Sequence, residues 1–184
     1  MVYLTQSAKE TMDIGQMLAK QIVKQFFFNE MSSKIILLNG DLGAGKTTFA
    51  KGFASGLGIQ DTITSPTFTI SNQYVVDNLQ LIKNYQRLDS HLPNQKQSNL
   101  KQYDKIDTQT YQNKTINALI HIDAYRLENI DYTETGLEEV IMAKDNICLI
   151  EWSQFILPLV QDQKTMSIQI EYINDTTRRI SFDE

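Results

Sequence analysis

A glycine-rich stretch near the start of the chain has the residue types and the spacing of a phosphate site. Within LNGDLGAGKTTFA, at residues 38–50, the pattern G-x-x-x-x-G-K-[ST] is satisfied by Gly40, Gly45, Lys46 and Thr47. Glycines let consecutive backbone N–H groups approach phosphate oxygens without side-chain clashes, and a following helix points its positive end at the same place. The pattern therefore predicts that Lys46 reaches the β- and γ-phosphates of a nucleotide and that the Thr47 hydroxyl ligates magnesium.

The turn is expected to wrap around the phosphates along its whole length. The residues predicted to contact the nucleotide there are Asp41, Leu42, Gly43, Ala44, Gly45, Lys46, Thr47 and Thr48. Guanine-specific proteins usually carry an Asn-Lys-x-Asp element, whereas Asn113–Lys114 is followed here by Thr115 and Ile116. Because the aspartate is missing, adenine is favoured, and the predicted cofactors are ATP and Mg²⁺.

Two acidic residues follow apolar runs farther along the chain. Asp123 lies in ALIHIDAYRL and Glu151 in ICLIEW. If both runs are strands of a parallel sheet, both carboxylates lie at its carboxyl edge, where ligands bind in such folds. Each is a candidate for the magnesium-organising acid that a phosphate loop needs. The pattern does not choose between them, and a helix cap or a surface carboxylate is the structural alternative for either.

Four other side chains have both a functional and a structural interpretation. Thr67, in SPTF, is placed like the hydroxyl that senses the γ-phosphate in switch-type NTPases, or is a β-prone residue after a proline. His121 lies in an apolar run and is more typical of a core histidine than of a catalytic one. Trp152, beside Glu151, is a core or pocket-wall residue, or has a stacking or gating role. Arg126 either stabilises phosphate charge or forms a structural ion pair.

Apolar periodicity and turn residues predict alternating helices and strands over most of the chain. The predicted helices are 7–28, 46–57 and part of 132–144; the predicted strands are 34–39, the end of 64–76, 119–123 and 147–151; and a β-hairpin turns at Asn174 and Asp175. Residues 77–117 differ, because 13 of these 41 residues are Asn or Gln. We expect one domain, 1–184, with a low-complexity surface loop or extended hairpin inserted at about 77–117. An arm that contacts a partner through Tyr85, Tyr103 and Tyr111 is the alternative.

Composition restricts the classes of partner. The formal net charge of −5 and the pI of about 5.1 argue against a chain that grips nucleic acid or an anionic membrane by itself. The single cysteine, Cys148, suits a reducing compartment. The first residues lack the basic and apolar regions of a signal peptide, and no apolar run approaches the roughly 20 residues of a membrane span. The expected location is the cytoplasm.

Four motifs taken in order, GDLGAGKTTFAKGF, SPTFTI, HIDAYRL and ICLIEW, resemble the TsaE family, also called YjeE. These are small bacterial P-loop ATPases needed for threonylcarbamoyl modification of adenosine 37 in tRNAs that read codons beginning with A. The resemblance implies a compact P-loop NTPase core of the α/β class, with a mostly parallel central sheet, helices on both faces and a C-terminal β-hairpin. It also implies TsaB and TsaD as partners, with ATP hydrolysis driving or resetting the complex while TsaD transfers the group. tRNA would be met only through that complex, and neither DNA nor membrane is a partner.

The resemblance also assigns roles to residues. Glu151 would bind magnesium together with Thr47, and Asp123 matches an aspartate that the family requires, as a metal ligand or as a group that orients water. Thr67 matches the switch threonine, and Lys46 completes the catalytic set. The resemblance places residues 7–11 near the adenine, with Ala8 and Thr11 as the binding residues. Trp152 is a further candidate for the nucleotide site. The family normally joins the SPTF and D-x-Y-R-L strands by a short turn, so the insertion bears on partner docking.

Two other functions are compatible with a phosphate loop. Kinases of small molecules or nucleosides commonly close an arginine-bearing lid over the phosphates, and this chain has only four arginines: Arg87, Arg126, Arg178 and Arg179. A non-enzymatic switch that binds ATP only to control assembly would tolerate the loss of Glu151.

Overall fold

The computed structural model describes residues 1–27, 34–89, 115–128, 130–132 and 135–183. The strands are β1 (Val2–Thr5), β2 (Ile35–Asn39), β3 (Ser71–Val75), β4 (Ala118–Asp123), β5 (Asn146–Glu151), β6 (Thr165–Tyr172) and β7 (Arg178–Asp183). The helices are α1 (Ala8–Phe27), α2 (Lys46–Gly56), α3 (Asn78–Asp89), α4 (Leu137–Met142) and α5 (Leu157–Val160), with 3-10 helices at Ala124–Leu127 and Ser153–Ile156. The predicted helices, strands and C-terminal hairpin are confirmed within these residues.

All seven strands form one sheet in the order β1-β7-β6-β2-β5-β4-β3. Its centre is parallel, because β2 pairs in parallel with both β5 and β6, and β4 pairs in parallel with β5. Both edges are antiparallel: β3 runs against β4, and β7 runs against β6 and β1. The sequence analysis did not predict β1, a four-residue edge strand in which only Thr5 is buried.

Alternate residues of the central strands face two separate apolar cores. Ile36 and Leu38 of β2 pack with α1, α2 and Leu81 of α3, while Ile35 packs with Leu137 and other residues of α4 and α5 on the opposite face. Burial on both faces is what an aliphatic run without polar alternation predicts. Helices therefore cover both faces, which confirms the predicted α/β fold class.

Helix α2 lies unusually close to α1, and glycines make this possible. A Cβ on Gly52 would lie 1.9 Å from the carbonyl oxygen of Met12, and one on Gly15 would lie 2.4 Å from that of Phe49. Neither position has room for a side chain. The close packing holds α2, whose first residue is Lys46, in a fixed position relative to the rest of the domain.

The expectation of a loop or hairpin from residue 77 onward is wrong for its first part, which forms the helix α3. The Asp77 carboxylate caps this helix by accepting the N–H groups of Leu79 and Gln80 at 3.0 and 3.1 Å. Leu81 enters the core, and Ile82, the next residue, packs against it. These two apolar contacts attach the helix to the core despite its many amides. Tyr103 and Tyr111 lie outside the described residues, and so does the side chain of Tyr85, so the partner-arm alternative stays a prediction.

Within the described ranges, no helix is both long and apolar enough to cross a membrane.

Candidate nucleotide site

The two acids singled out in the sequence lie side by side at the carboxyl edge of the parallel strands. Asp123, the last residue of β4, is in register with Glu151, the last residue of β5, and Glu151 is also in register with Leu38 of β2. The glycine-rich loop, Gly40 to Thr47, begins directly after β2. The predicted convergence of this loop and both acids at one sheet edge is therefore confirmed.

The glycine-rich loop uses backbone conformations that disfavour side chains. Gly40 has a φ of 146°, and Gly45, which precedes the first residue of α2, has a φ of 108°. A Cβ on Gly40 would also lie 2.4 Å from the carbonyl oxygen of Ile170 in β6. These constraints explain why the pattern needs glycine at both positions.

Lys46 is folded back over the loop that precedes it. Its Nζ donates to the carbonyl oxygens of Gly40 and Asp41 at 2.8 and 3.1 Å and lies 3.9 Å from Glu151 Oε2. The residue is only 6% exposed. A buried ammonium needs such compensation, because an isolated charge is costly to remove from water. The site thus holds a desolvated positive charge where the pattern predicts a phosphate.

Each oxygen of the buried Glu151 carboxylate has its own neighbour. Oε1 lies 2.9 Å from His121 Nε2, while Oε2 faces Lys46. His121 is fully buried in β4, and its Nδ1 has no hydrogen-bond partner among the described residues. His121 is buried in the core, as expected, but its imidazole also contacts Glu151. Sequence alone did not show this contact, which depends on the pairing of β4 with β5.

Asp123 connects the segment that contains Thr67 to the carboxyl edge of the sheet. Thr67 Oγ1 donates to Asp123 Oδ2 at 2.5 Å, and the N–H of Tyr125 donates to Oδ1 at 3.1 Å. The backbone N–H of Asp123 donates to the carbonyl oxygen of Ile70, which has a φ of 67°. A positive φ is rare for a β-branched residue and indicates a constrained turn. Asp123 therefore caps the 3-10 helix after β4 and also binds the predicted switch threonine.

An aromatic wall stands beside Lys46. The Trp152 ring lies 4.7 Å from Lys46 Nζ, and its centroid is 5.3 Å from that of Tyr125 and 6.5 Å from that of Phe155. Trp152 is partly buried with a φ of 58°, so the chain turns sharply directly after Glu151. This placement supports a pocket-wall role for Trp152.

Three other candidates differ in their surroundings. The Arg126 guanidinium lies 4.7 Å from the ring of Phe68, a cation–π contact, whereas the sequence left phosphate stabilisation and a structural ion pair as alternatives. Thr11 is buried, and its Oγ1 lies 2.9 Å from Thr5 Oγ1. Ala8 is exposed at the first position of α1. The adenine-binding roles of Ala8 and Thr11 stay predictions.

The sequence analysis missed one contact of the glycine-rich loop. Arg178, at the start of β7, donates from Nε to the carbonyl oxygen of Ala44 at 2.8 Å. The two residues are 134 positions apart, and no local pattern connects them. The C-terminal hairpin brings them together, because its strand β7 pairs with β6, and β6 pairs with β2, which leads into the loop.

The residues present fit a magnesium–nucleotide ligand. Magnesium in nucleotide sites is usually held by one or two protein oxygens together with phosphates and water. The half-buried Thr47 at the loop and the Glu151 carboxylate provide oxygens of that kind. Over the described part of the chain, no group of three or more His, Cys, Asp or Glu residues forms a metal cage, and a site completed by phosphates does not need one.

Comparison with known proteins decides the family. Residues 5–91 and 105–180 match the family described as "Threonylcarbamoyl adenosine biosynthesis protein TsaE". The chain belongs to the TsaE family. It is 32% identical over 148 residues to the Bacillus subtilis "tRNA threonylcarbamoyladenosine biosynthesis protein TsaE", covering 80% of this chain and 68% of that protein. A Borreliella burgdorferi protein of the same name is 31% identical over 151 residues, 82% of each chain.

A solved structure agrees with this assignment. The crystal structure of Bacillus subtilis YdiB is similar with a TM-score of 0.59 and 26% sequence identity, over 99% of this chain and 83% of that one. The resemblance seen in the motifs and the α/β fold class are thus both confirmed. The family is one named for threonylcarbamoyl adenosine biosynthesis.

Proposed function

We propose that this chain is a magnesium-dependent ATPase that serves the threonylcarbamoyl modification of adenosine 37 in tRNA. The observation that carries the proposal is the buried Lys46 ammonium, which lies between the glycine-rich loop and the Glu151 carboxylate. A desolvated cation beside a helix N-terminus is suited to bind phosphate charge. The family's name supports the pathway, and the loop geometry supports the nucleotide.

The binding step uses groups that are already in position. The loop backbone and Lys46 would hold the phosphates, and Lys46 would exchange its carbonyl partners at Gly40 and Asp41 for phosphate oxygens. Thr47 and Glu151 would hold magnesium, which when bound neutralises phosphate charge and orients the triphosphate. Trp152 would form one wall of the site.

Hydrolysis would depend mostly on positioning and charge stabilisation. Water attacks the γ-phosphorus, the bond to the β–γ bridging oxygen breaks, and ADP and inorganic phosphate are released. Asp123 would orient the attacking water, directly or through the metal's water shell. Thr67, which donates to Asp123 at 2.5 Å, would link this acid to the occupancy of the γ-phosphate position.

Turnover by the isolated chain is expected to be slow. The Arg126 guanidinium stacks on Phe68, and that of Arg178 binds loop carbonyls, so neither is placed as an arginine finger. We propose that TsaB and TsaD complete the site and that the ATP cycle drives or resets their complex. The chain's net charge of −5 supports a route to tRNA through the partners, because binding to a phosphate backbone needs basic surface.

Lys46→Ala tests the proposal, and Lys51→Ala is its matched control because Lys51 lies in the same helix and is exposed. Calorimetry with Mg-ATP should show binding by wild type and Lys51→Ala and little or none by Lys46→Ala. In a reconstituted tRNA modification assay with the partner proteins, Lys46→Ala should lose roughly 100-fold or more activity, as expected when a preorganised charge is removed. If wild type shows no heat of association with Mg-ATP, the proposed function is wrong.

Glu151→Gln separates the ATPase from a switch that only binds the nucleotide. The amide keeps the shape of the side chain but removes the charge that would hold magnesium. We expect this variant to retain weakened nucleotide binding and to fail in tRNA modification. A variant that no longer hydrolyses ATP but still supports modification would favour the switch.

A further inference from the structure

The Arg178 guanidinium spans the gap between the C-terminal hairpin and the glycine-rich loop. Nε donates to the carbonyl oxygen of Ala44 at 2.8 Å, and Nη2 lies 3.5 Å from that of Gly43. Nη1 donates to the carbonyl oxygens of Asn174 and Thr177 at 2.6 and 3.0 Å. One side chain therefore binds four backbone carbonyls, two in the loop and two in the hairpin turn.

The hairpin approaches the loop from the side opposite the acids. Strand β2, which leads into the loop, lies between β5 and β6 in the sheet. Glu151 and Trp152 follow β5, whereas Arg178 begins β7, beyond β6. Lys46 and the acids thus lie on one side of the loop, and the Arg178 guanidinium holds its other side.

The Ala44–Gly45 peptide shows what this contact does. A trans peptide is planar, and its C=O and N–H groups point in opposite directions. Because Arg178 Nε holds the Ala44 carbonyl on the hairpin side, the Gly45 N–H is directed to the other side of the loop. That N–H lies immediately before α2, where the phosphates are expected to bind.

We propose that Arg178 is a positioning residue that orders the glycine-rich loop before any nucleotide arrives. The guanidinium binds carbonyls and so fixes the direction of the amides that follow them, without contacting phosphate itself. Preorganised donors are effective because they do not have to reorient when charge arrives. The consequence for ATP binding rests on the proposed function, but the ordering of the loop does not.

The surroundings of Arg178 hold its side chain in this orientation. The guanidinium lies 4.6 Å from the ring of Tyr172, and the Tyr172 hydroxyl donates to Asp175 Oδ1 at 2.5 Å. Donors on separate nitrogens reach two carbonyls of the loop and two of the turn, a geometry that suits a planar guanidinium better than a single ammonium. Arg178→Lys should therefore keep the charge but lose much of the ordering.

Hydrogen–deuterium exchange of the nucleotide-free protein tests the ordering directly. In Arg178→Ala we expect the Ala44 amide, which donates to the Asp41 carbonyl oxygen at 3.1 Å in the ordered loop, to exchange about tenfold faster, which corresponds to losing a hydrogen bond from a charged donor. Arg178→Lys should change in the same direction. Arg179→Ala is the matched control, because Arg179 is the next residue in β7, its side chain is about half exposed, and its guanidinium pairs with Glu171 Oε2 at 3.3 Å.

Binding of Mg-ATP, followed through Trp152 fluorescence, provides the second measurement. Arg178→Ala should weaken the affinity about tenfold, and Arg179→Ala should leave it unchanged. If Arg178→Ala does not fold, as judged by circular dichroism, Arg178→Lys and Arg178→Gln provide the same comparison.

Two results would overturn the proposal. One is an unchanged exchange rate for the Ala44 amide in a folded Arg178 variant. The other is slower hydrolysis with normal exchange and normal affinity, which would make Arg178 a group that acts on the reacting phosphate. If exchange accelerates as expected but wild type does not bind Mg-ATP, the ordering role stands and the proposed function fails.

Discussion

At the scale of single residues, the buried imidazole of His121 fixes the orientation of the Glu151 carboxylate. Its Nε2 lies 2.9 Å from Oε1, which leaves Oε2 to face Lys46 at 3.9 Å. A buried carboxylate that loses one of its partners retains an uncompensated charge, and that is more costly than never having formed the pair. His121 therefore stabilises the acid and also fixes the direction of the oxygen that would meet magnesium.

Replacing His121 with leucine should destabilise the protein and impair magnesium binding. We expect His121→Leu to lower the free energy of unfolding by about 1–3 kcal/mol, because a buried acceptor loses its donor. His121→Gln, which can still donate a hydrogen bond, should recover part of both properties. Urea titration measures the stability, and fluorescence of Trp152, the only tryptophan in the chain, follows a magnesium titration with ATP present. Equal behaviour of the leucine and glutamine variants would contradict this role.

Sequence patterns could predict the site residues that lie at strand ends, because strand direction alone brings such residues to one edge. Asp123 and Glu151 are of this kind, and Lys46 was predicted from the spacing of the glycine motif. His121 and Arg178 are not, because their contacts depend on the pairing of β4 with β5 and on the pairing of the hairpin strand β6 with β2. The functions of all five residues stay predictions until the variants are measured.

At the scale of elements, α3 belongs to the core although its sequence is rich in amides. Leu81 is 2% exposed and lies in the same core cluster as Phe53, whereas Leu79, two positions earlier in the helix, is 72% exposed. Asn78 binds residue 116 twice: its Nδ2 donates to the Ile116 carbonyl oxygen and its Oδ1 accepts from the Ile116 N–H, both at 2.9 Å. The helix is thus connected to the segment that returns to β4.

A comparison of Leu81→Ala with Leu79→Ala tests this packing. The two changes are chemically identical and lie in one helix, so only burial differs. Leu81→Ala should lower the free energy of unfolding by about 2–4 kcal/mol, since it leaves a cavity. Leu79→Ala should change it by less than about 0.5 kcal/mol. Denaturant titrations of both variants measure the difference, and similar small effects would mean that α3 is only loosely attached.

Helix α3 and strand β1 were not predicted for the same physical reason, which is a weak apolar pattern. In α3 the apolar signal comes mainly from Leu81 and Ile82, set among Asn and Gln residues that give little periodicity. Strand β1 has four residues and is stabilised by its pairing with β7 rather than by a buried pattern of its own. Aliphatic strands such as β2 were predictable because burial on both faces requires an apolar residue at nearly every position.

At the scale of the whole molecule, the sheet order surrounds the glycine-rich loop with fixed structure. Strand β2 is central, with the acids on the β5 side and the hairpin on the β6 side. Below the loop, the close approach of α1 and α2 at Gly15 and Gly52 fixes the helix that starts at Lys46. Loop, helix and acids can thus keep their mutual geometry without a ligand.

The centre of this sheet contains the chain's single thiol. Cys148 is fully buried in β5, in register with Ile35 of β2 and Ile120 of β4. Burial raises the pKa of the thiol from its ordinary 9.0 to about 12, although the nearby Lys34 ammonium opposes the shift. The folded protein therefore keeps this thiol protonated at pH values where an unfolded chain would ionise it.

Alkaline pH should consequently weaken the fold through Cys148. The thiol's contribution is fully present below its unfolded pKa of 9.0 and is lost as the pH rises towards the folded value of about 12. Between about pH 8 and about pH 10, the free energy of unfolding should fall by about 1.4 kcal/mol more in wild type than in Cys148→Ala, which lacks the group. Urea titrations of both proteins at the two pH values measure this difference. Parallel pH dependences would mean that the thiol ionises as readily in the folded sheet as in the unfolded chain, against its burial between β2 and β4.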